Sequence, residues 1–324
     1  MKILSSGDWH INLRKKKEKV PYDWQLNRFK KFFESVYSLE KSHDIHIVSG
    51  DMFDKKPEPD EMTLFLEFVH SLSIPTFFIP GNHCATKKGE TFLEFFLRDK
   101  AFKNDLATII TKNTNIDILG TTFQFFPYGE MQIDNLPEYI QDSVLITHIR
   151  GEVKPHITAE YDFSKLAKWK LVLLGDLHFN HQYNNMPVFY PGSPMNVSFD
   201  RDETRKYGVD SIDFNSVDDY SVKFIPLNLP KLIRRTVNAG EELVPGDYDH
   251  VIYEVVGKLD EMANISASPL LDKKIIKSKS TSKLNFNNMT KVEKLEKWLE
   301  YINVKDKESI MLEYKAIGIN ENNT

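Results

Sequence analysis

Apolar and polar positions along the first third of the chain form short blocks that alternate between two periods. Apolar residues recur at helical spacing from Asp23 to Ser42 and from Glu61 to Ser73. Short runs rich in apolar residues surround these segments, at Ile3-Leu4, Ile45–Val48 and Thr76–Ile79. Strands that alternate with helices of this length predict βαβ units and a largely parallel sheet.

Beyond Leu97 the segments become shorter and more strand-like. We expect strands at 107–110, 116–119, 123–126, 143–146, 171–174 and 188–190. This mixture predicts a second sheet packed on the first. The segment Leu227–Lys231 contains a proline and has no periodicity, so it is the expected linker to a small α/β unit. A C-terminal helix is predicted from Met289 to Tyr301, with Thr290 as its cap.

Metal-binding residue types follow the ends of five of these apolar runs. The segments are Gly7-Asp8-Trp9-His10, Gly50-Asp51-Met52-Phe53-Asp54, Gly81-Asn82-His83, His148 and Gly175-Asp176-Leu177-His178. In open α/β sheets, ligands gather at the carboxyl ends of strands. One such segment alone is typical of a turn, but five in one chain predict side chains that converge. Carboxylate, imidazole and amide groups are the ligands of two-metal hydrolytic sites, so the pattern indicates an enzyme.

Composition narrows the class of protein further. The 324 residues are 41% hydrophobic, which is ordinary for a globular chain with one large and one smaller domain. No apolar run approaches the ~20 residues of a membrane span. The chain enters a strand at once, so we expect no signal peptide. Cys84 is the only cysteine, which excludes intramolecular disulfides and favours a reducing compartment.

The charge pattern neither requires nor excludes a polyanionic substrate. The formal net charge is −5, which two divalent cations would almost neutralise. Basic residues cluster from Arg14 to Lys19 and again from Lys273 to Lys283. These two clusters favour contact with nucleic acid.

The order of the five motifs resembles the signature of calcineurin-like metallophosphoesterases. More narrowly, the chain is similar to the SbcD-type nuclease subunits of bacteria and phages, which are related to the eukaryotic meiotic recombination nuclease. The segment Tyr190-Pro191-Gly192-Ser193-Pro194 adds to this similarity, which covers about residues 1–200. It implies an α/β fold, a four-layer αββα sandwich of two mixed sheets, over residues 1–227. It further implies a DNA-binding α/β cap at 231–285 and a C-terminal helical segment at 286–324 that binds an ATPase.

The resemblance also implies a role for each motif residue. One divalent cation would be held by Asp8, His10, Asp51 and His178. The second would be held by Asp51 as a bridge, with Asn82, His148 and Asp176. His83 would face the scissile phosphate as an acid or hydrogen-bond donor, and Asp54 would orient a ligand without binding metal. Manganese is the expected metal, with magnesium as the alternative.

Two residues depart from the family pattern. Asp176 stands where the family usually has His, which adds a negative charge and predicts a preference for manganese or magnesium over zinc. Cys84 stands where an acidic residue commonly follows Gly-Asn-His. We expect Cys84 to be a small buried spacer next to the site, without a redox or ligand role.

Further candidates lie outside the five motifs. The residues expected to contact DNA phosphates are Arg14, Lys15, Lys16 and Lys17. The remaining histidines are expected to be structural or solvated: His43, His46, His70, His156, His181 and His250. The apolar stripe of the C-terminal helix would either pack as core or dock a partner.

Together these features predict a manganese-dependent DNA nuclease. The resemblance implies exonuclease action on duplex ends and endonuclease action on single strands or hairpins. It also implies a coiled-coil ATPase partner of the SbcC type, a homodimer formed through helices of the main domain, and the cytoplasm of a bacterium or phage-infected host. Two alternatives stay open, a small-molecule phosphodiesterase or phosphatase and a binding module that has lost catalysis.

Overall fold

The computed structural model describes residues 1–15, 17, 19–84, 91–98, 103–129, 137–152, 157–257, 259–276, 286 and 289–316. The chain divides into two compact units. The first comprises Met1–Val237, Glu242–Glu254 and Ala267–Lys273, and the second comprises Asn238–Glu241, Val255–Ser266 and Lys274–Thr324. The division into functional segments at 227, 231 and 285 remains a prediction.

Twelve strands of the first unit form two six-stranded sheets. In chain order they are β1 (Lys2–Ser6), β2 (Ile45–Val48), β3 (Thr76–Phe78), β4 (Ala107–Ile109), β5 (Thr114–Ile118), β6 (Thr121–Phe126), β7 (Val144–His148), β8 (Val172–Gly175), β9 (His181–Gln182), β10 (Val188–Tyr190), β11 (Gly208–Ser216) and β12 (Asp219–Pro226). The strands expected from the sequence are present, with ends that shift by one or two residues.

The first sheet has the strand order β12-β11-β1-β2-β3-β4. Strands β1 to β4 are parallel, and β11 pairs antiparallel with β1 and β12. Strand β4 therefore belongs to the first sheet, whereas the sequence predicts the second sheet for the segments beyond Leu97. The second sheet has the order β5-β6-β7-β8-β10-β9 and is also mixed. Two mixed sheets confirm the predicted fold class.

Two long helices cover the outer face of the first sheet. Helix α1 spans Tyr22–Glu40 and helix α2 spans Pro59–Ser71, close to the predicted ranges. Helix α2 begins with a capping box between Glu58 and Glu61, and Pro59 occupies its first turn, where a missing N–H costs nothing. A short helix α3 follows at Leu93–Arg98.

Alternate residues of the central strands enter different cores. Leu4 packs with the aromatic side chains of α1 and α2, whereas Ile3 faces the second sheet. Phe77 and Phe125 stack between the sheets with ring centroids 5.5 Å apart. A third cluster covers the far face of the second sheet, where the described residues provide the 3-10 segment Phe163–Lys168 and its flanking loops. The layered cores fix the sheets face to face, which places their strand ends together.

Three more strands form a separate sheet in the order β13-β14-β15. Their bounds are Leu232–Asn238, His250–Gly257 and Leu271–Ile276, and helix α4 spans Leu259–Ala263. Helices α5 (Lys291–Tyr301) and α6 (Lys307–Ala316) follow in the second unit. Thr290 caps α5 as predicted, because its hydroxyl accepts from the Glu293 N–H. Among the described residues, no helix has both the length and the apolar character of a membrane span.

Candidate metal centre

The five sequence motifs lie where strands of both sheets end. Asp8 and His10 follow β1, Asp51 follows β2, and Asn82 with His83 forms a 3-10 turn after β3. His148 is the last residue of β7, and Asp176 and His178 follow β8. The β1 and β2 ends stay paired beyond the strands, through Asp8 N–H to Gly50 O at 3.0 Å and His10 N–H to Asp51 O at 2.9 Å.

Four of the predicted ligands have backbone conformations that side chains rarely adopt. The φ angles of Asp8, His10 and Asp51 are 51°, 48° and 51°, and that of Asp176 is 103°. Positive φ at a residue other than glycine costs about 1–3 kcal/mol and concentrates at functional sites. The strain turns the side chains away from the strand directions, toward a common point.

Two glycines in the motifs allow this convergence. Gly50 has a φ of 107°, and a β-carbon at this position would overlap the imidazole of His148. A β-carbon at Gly81 would overlap the carboxylate of Asp51. The glycine that precedes the polar residue in these two motifs is therefore a steric requirement of the ligand cluster.

The seven predicted ligands divide according to the cation that the resemblance assigns to each, with Asp51 shared. We call Asp8, His10 and His178 the histidine-rich half, and Asn82, His148 and Asp176 the mixed half. Ligand atoms of Asp8, His10 and His178 lie within 4.8 Å of one another, as do those of Asp8, Asp51 and His148. The carboxylate of Asp8 also accepts the Asp176 N–H at 3.1 Å, which links the two halves.

His10 is the clearest indication that the cluster fits cations. Both of its ring nitrogens are buried, and neither has a hydrogen-bond partner among the described residues. Nε2 lies 3.9 Å from Asp8 Oδ1 and 3.7 Å from Asp51 Oδ2, too far for hydrogen bonds. A buried, unpaired imidazole is costly unless another group satisfies it. A cation shared with the two carboxylates would do so.

The charges of the histidine-rich half are consistent with cation binding. Asp8 is completely buried, and burial raises its pKa well above the usual value, against the opposing effect of His148. Burial and the neighbouring His10 lower the pKa of His178 to about 4, so its ring is neutral near pH 7. A neutral imidazole beside a carboxylate that needs a counter-charge is a ready ligand pair.

In the mixed half, the predicted ligands already have hydrogen-bond or ion-pair partners within the protein. His148 Nδ1 donates to the Ser49 carbonyl at 2.9 Å, which directs Nε2 toward Asn82 Oδ1 at 3.1 Å and Asp51 Oδ2 at 3.4 Å. Burial opposes a charge on His148, but the attraction of Asp51 and the other carboxylates outweighs it and raises the His148 pKa to about 10. A cation at this position must therefore displace a proton from Nε2.

His83 is exposed at the edge of the cluster, with its ring oriented by the protein. Its N–H donates to Asp51 Oδ1 at 2.9 Å, and its Nδ1 donates to the Asp54 carbonyl at 2.7 Å. Because a carbonyl only accepts, Nδ1 carries the proton and Nε2 is left for a substrate. The Asp54 carboxylate lies 3.5 Å from Nδ1 of the predicted ligand His10 and accepts from Asn12 at 2.6 Å. Its role in orienting that ligand remains a prediction.

Arg150 is a site residue that the sequence patterns did not indicate. It follows His148 by two positions, and its Nε donates to Asp176 Oδ2 at 2.8 Å. Its Nη2 donates to Asp176 Oδ1 at 3.2 Å, so both carboxylate oxygens are held. The feature of the sequence that could have indicated a residue such as Arg150 was the acidic residue at position 176, because an additional buried negative charge is stable only when a cation lies nearby.

Cys84 is buried in the core cluster that lies under α1 and α2. Burial, with a contribution from the Asp51 charge, raises the pKa of its thiol to about 12. The thiol is therefore protonated and inert near pH 7. This placement supports the expectation of a buried spacer.

The basic cluster after the first motif is only partly free for a substrate. Arg14 pairs with Asp60 at 2.5 Å and stacks over Tyr22. Lys15 is buried, whereas Lys17 is exposed. Lys16 and most of the second basic tract, residues 277–283, lie outside the described residues, as does His156. DNA contact by this cluster remains a prediction.

His46 has a structural place beneath the first motif. Its Nε2 hydrogen bonds to the Ser6 hydroxyl at 2.8 Å, and that hydroxyl accepts from the Trp9 indole at 3.1 Å. Its Nδ1 lies 3.3 Å from a Glu40 carboxylate oxygen. All four side chains are buried. The network anchors Trp9, which stands between the ligands Asp8 and His10.

A cavity of about 640 Å³ opens over the cluster. Its walls include the predicted site residues Asp51, Asn82, His83, Asp176 and His178, together with Arg150 and four further residues: Ile157, Thr158, Leu177 and Phe179. Cavities of this size hold small ligands or one segment of a larger one.

Comparisons with known proteins find relatives of this chain. The chain is 34% identical over 283 residues to "Probable exonuclease subunit 1" of Escherichia phage T5, covering 85% of this chain and 84% of that protein. It is 25% identical over 300 residues to the D subunit of the nuclease SbcCD of Staphylococcus epidermidis, covering 78% and 75%. Among solved structures, GAP50 of Plasmodium, described as the anchor in the inner membrane complex, matches with a TM-score of 0.44 and 14% identity over 72% of this chain and 88% of that one.

The family comparison covers most of the first unit. Residues 1–212 match the model of the calcineurin-like phosphoesterases, a range that contains the five motifs and both six-stranded sheets except for the end of β11 and all of β12. Enzymes of this family use divalent metals, which agrees with the ligand groups around Asp51. The chain belongs to the calcineurin-like phosphoesterase family.

Proposed function

We propose that this protein is a DNA nuclease that depends on two divalent cations, most effectively manganese. The observation that carries the proposal is the buried Nε2 of His10, which has no hydrogen-bond partner among the described residues and faces the carboxylates of Asp8 and Asp51. The names of the phage and bacterial relatives support nucleic acid as the substrate. Their sources also support the cytoplasm of a bacterium or an infected host as the place of action.

The residues divide into two ligand sets that share Asp51. Asp8, His10, Asp51 and His178 would hold one cation, and Asp51, Asn82, His148 and Asp176 would hold the other. In support of the first set, ligand atoms of Asp8, His10 and His178 lie within 4.8 Å of one another. In support of the second, His148 Nε2 lies 3.1 Å from Asn82 Oδ1 and 3.4 Å from Asp51 Oδ2. Two bound cations supply an activated water and stabilise charge on a phosphoryl group. The oxygen and nitrogen ligands suit manganese or magnesium.

The chain's own groups would orient the phosphodiester. His83 Nε2 faces the cavity beside Asp51 and Asn82, where it can bind a phosphate oxygen or protonate a leaving oxygen. The hydrogen bond from its Nδ1 to the Asp54 carbonyl fixes the ring for that role. Apolar walls such as Phe179 can contact a base and exclude water from one side.

Cleavage assays with end-labelled duplex DNA test this proposal. Wild type should cut DNA with manganese, and Asp8→Ala and His83→Ala should each lose activity. Asp117→Asn, at an exposed carboxylate that accepts from Thr122, is the matched control and should cut normally. Cleavage of a model phosphodiester without cleavage of DNA would instead identify a small-molecule phosphodiesterase. Inactivity on both substrates, with and without an ATPase partner, would favour a binding module.

We further propose that helices α5 and α6 bind a coiled-coil ATPase subunit of the SbcC type. Leu299 and Met311 are buried, but Trp298 and Tyr301 of α5 and Leu312 of α6 remain exposed, Leu312 to 71%. Exposed apolar side chains on adjacent helices are typical of a docking surface. The names of the relatives as subunits support a partner.

A pair of matched variants tests the docking surface in the full chain. Leu312→Glu should abolish co-purification with the ATPase and leave manganese-dependent cleavage unchanged. Leu119→Glu, at a leucine that is 73% exposed, is the control and should retain the partner. Retention of the partner by both variants would refute a docking role for α6.

A further inference from the structure

The carboxylate of Asp176 already has a cationic partner within the protein, the side chain of Arg150. Arg150 grips both oxygens, at 2.8 Å to Oδ2 and 3.2 Å to Oδ1, in the planar fork that is typical of strong Arg–carboxylate pairs. The Asp176 side chain is only 7% exposed, whereas Arg150 is 39% exposed at the cavity wall. The pair is therefore half-shielded from water and stronger than an ordinary surface ion pair.

The fork leaves room for a cation on the same carboxylate. An ionised carboxylate has about four acceptor positions, and Arg150 takes one on each oxygen. Oδ1 also lies 3.9 Å from His148 Nε2, on the side where the mixed half converges. The unused positions of Asp176 thus stay available to a cation shared with His148 and Asn82, while the fork prevents the carboxylate from rotating.

The charge of the pair matters as much as its geometry. A histidine at position 176 would contribute a neutral ligand, and Asp176 alone adds a negative charge. Arg150 cancels that charge, so the pair as a whole is neutral. With two cations bound, the net charge of the cluster that includes Asp176 and Arg150 is then equal to that of a cluster with a neutral histidine at position 176 and no Arg150. The shift in metal preference that Asp176 alone predicts is accordingly smaller.

We propose that Arg150 is a positioning residue which orients Asp176 and offsets its charge, so that Arg150 and Asp176 act together as one neutral ligand. This inference rests on the proposed two-cation function. The proposal implies that substitutions at positions 150 and 176 have interdependent effects on the affinity for the cation. With Asp176→His alone, Arg150 would lose its bidentate partner and keep only the half-exposed Glu160 carboxylate, 3.5 Å from its Nη1, so its positive charge beside the metal would be less compensated. With Arg150→Met alone, Asp176 would be charged and free to rotate.

Manganese titrations of the full chain test this interdependence. We expect wild type to bind two cations. Arg150→Met and Asp176→His should each weaken one of them by about tenfold or more, as is typical when the partner of a ligand is removed. The double variant should bind no more weakly than the weaker single variant, because it has a neutral ligand at position 176 and lacks the guanidinium that lost its bidentate partner. Independent effects would multiply to about a hundredfold.

Two further variants separate this role from a general effect on folding. Arg150→Lys keeps the charge but lacks the fork, so it should bind more tightly than Arg150→Met and less tightly than wild type. Arg235→Met removes an equally bidentate pair, with Glu203 at 2.8 and 2.9 Å, outside the residues that line the cavity. This control should bind two cations as wild type does. The shift in unfolding temperature with manganese provides a second readout for each variant.

The outcomes distinguish this inference from the proposed function. A wild type that binds no manganese would overturn the metal centre itself, and the inference with it. Two cations in wild type, with losses that multiply in the double variant, would overturn the role of Arg150 alone. Equal losses in Arg150→Met and Arg235→Met would also overturn it.

Discussion

The two halves of the candidate metal centre differ in how far the protein already pairs their predicted ligands. In the histidine-rich half, the nitrogens of His10 are buried without partners among the described residues, and the low pKa of His178 keeps its ring neutral. In the mixed half, Ser49 and Asn82 pair with His148, and Arg150 pairs with Asp176. The first half is incomplete without a cation. The second is largely satisfied by the protein, so a cation there must compete with a proton.

Asp51 is the predicted ligand that both cations would share. Its substitution should therefore have the largest effect on cation binding and on cleavage. Asp51→Asn keeps the size of the side chain but removes the charge that both cations would share. We expect loss of both cations from manganese titrations and a fall in cleavage rate on the order of a thousandfold. Asp117→Asn serves as the control. One cation retained at wild-type affinity would show that the halves do not share this ligand.

The second largest expected effect is a difference between the two halves in how manganese binding depends on pH. His148 has a pKa raised to about 10 in the metal-free cluster, so it is protonated at pH 8 and at pH 6. A cation that displaces this proton loses affinity as the pH falls, by about tenfold per unit or about a hundredfold over this range. The raised pKa of Asp8 acts in the same direction on the histidine-rich half. His178 has a pKa lowered to about 4 and contributes nothing here.

Calorimetric titrations in buffers of different ionisation enthalpy measure this effect, because they count the protons released with each cation. We expect the cation of the mixed half to release the His148 proton near pH 7, and the cation of the histidine-rich half to compete with a proton on Asp8 but not on His178. Binding of both cations without proton release would contradict the assignment of proton competition to His148.

The same difference between the halves predicts that a His→Leu substitution changes the stability of the metal-free protein differently in each half. His148→Leu leaves the Ser49 carbonyl and the Asn82 amide without their partner, so it should lower the free energy of unfolding by about 1–3 kcal/mol. His10→Leu removes a buried imidazole that lacks partners among the described residues, so it should be neutral or stabilising. Urea unfolding with a chelator present measures both. A larger loss for His10→Leu would reverse the comparison.

A smaller effect is expected from Asp54, which contacts His10 Nδ1 and accepts from Asn12. Asp54→Asn should weaken cation binding by about tenfold, and in the histidine-rich half alone, because Asp54 orients a ligand there. Asp60→Asn is the control in the same region, since the Asp60 carboxylate pairs with Arg14. Weakening of both cations would mean that Asp54 acts on the whole cluster.

The strands, and the convergence of the polar side chains at their ends, could be predicted because their signals are local. Each ligand stands directly after an apolar run, and a parallel sheet brings such strand ends together whatever the details of packing. Helices α1 and α2 were predictable from spacing alone. The cap of α5 was predictable from Thr290 and Glu293, which lie three positions apart.

The remaining features depend on contacts between distant residues. Strand β11 pairs with β1 in a register that joins Lys2 to Asp213, and no local pattern encodes that pairing. The prediction placed strand β4 in the wrong sheet because a short apolar segment does not specify its neighbour. The fork between Arg150 and Asp176 joins the ends of two adjacent strands. The chemistry of Asp176 could have suggested such a partner but could not identify it.

Anomalous diffraction from crystals grown with manganese would test the two-cation centre most directly. We predict two manganese peaks, one bound by the histidine-rich half and one by the mixed half, with Asp51 bound to both. The His10 nitrogen that faces Asp8 and Asp51 should bind the first. Absence of manganese from the cluster, or peaks that do not contact Asp51, would contradict the account.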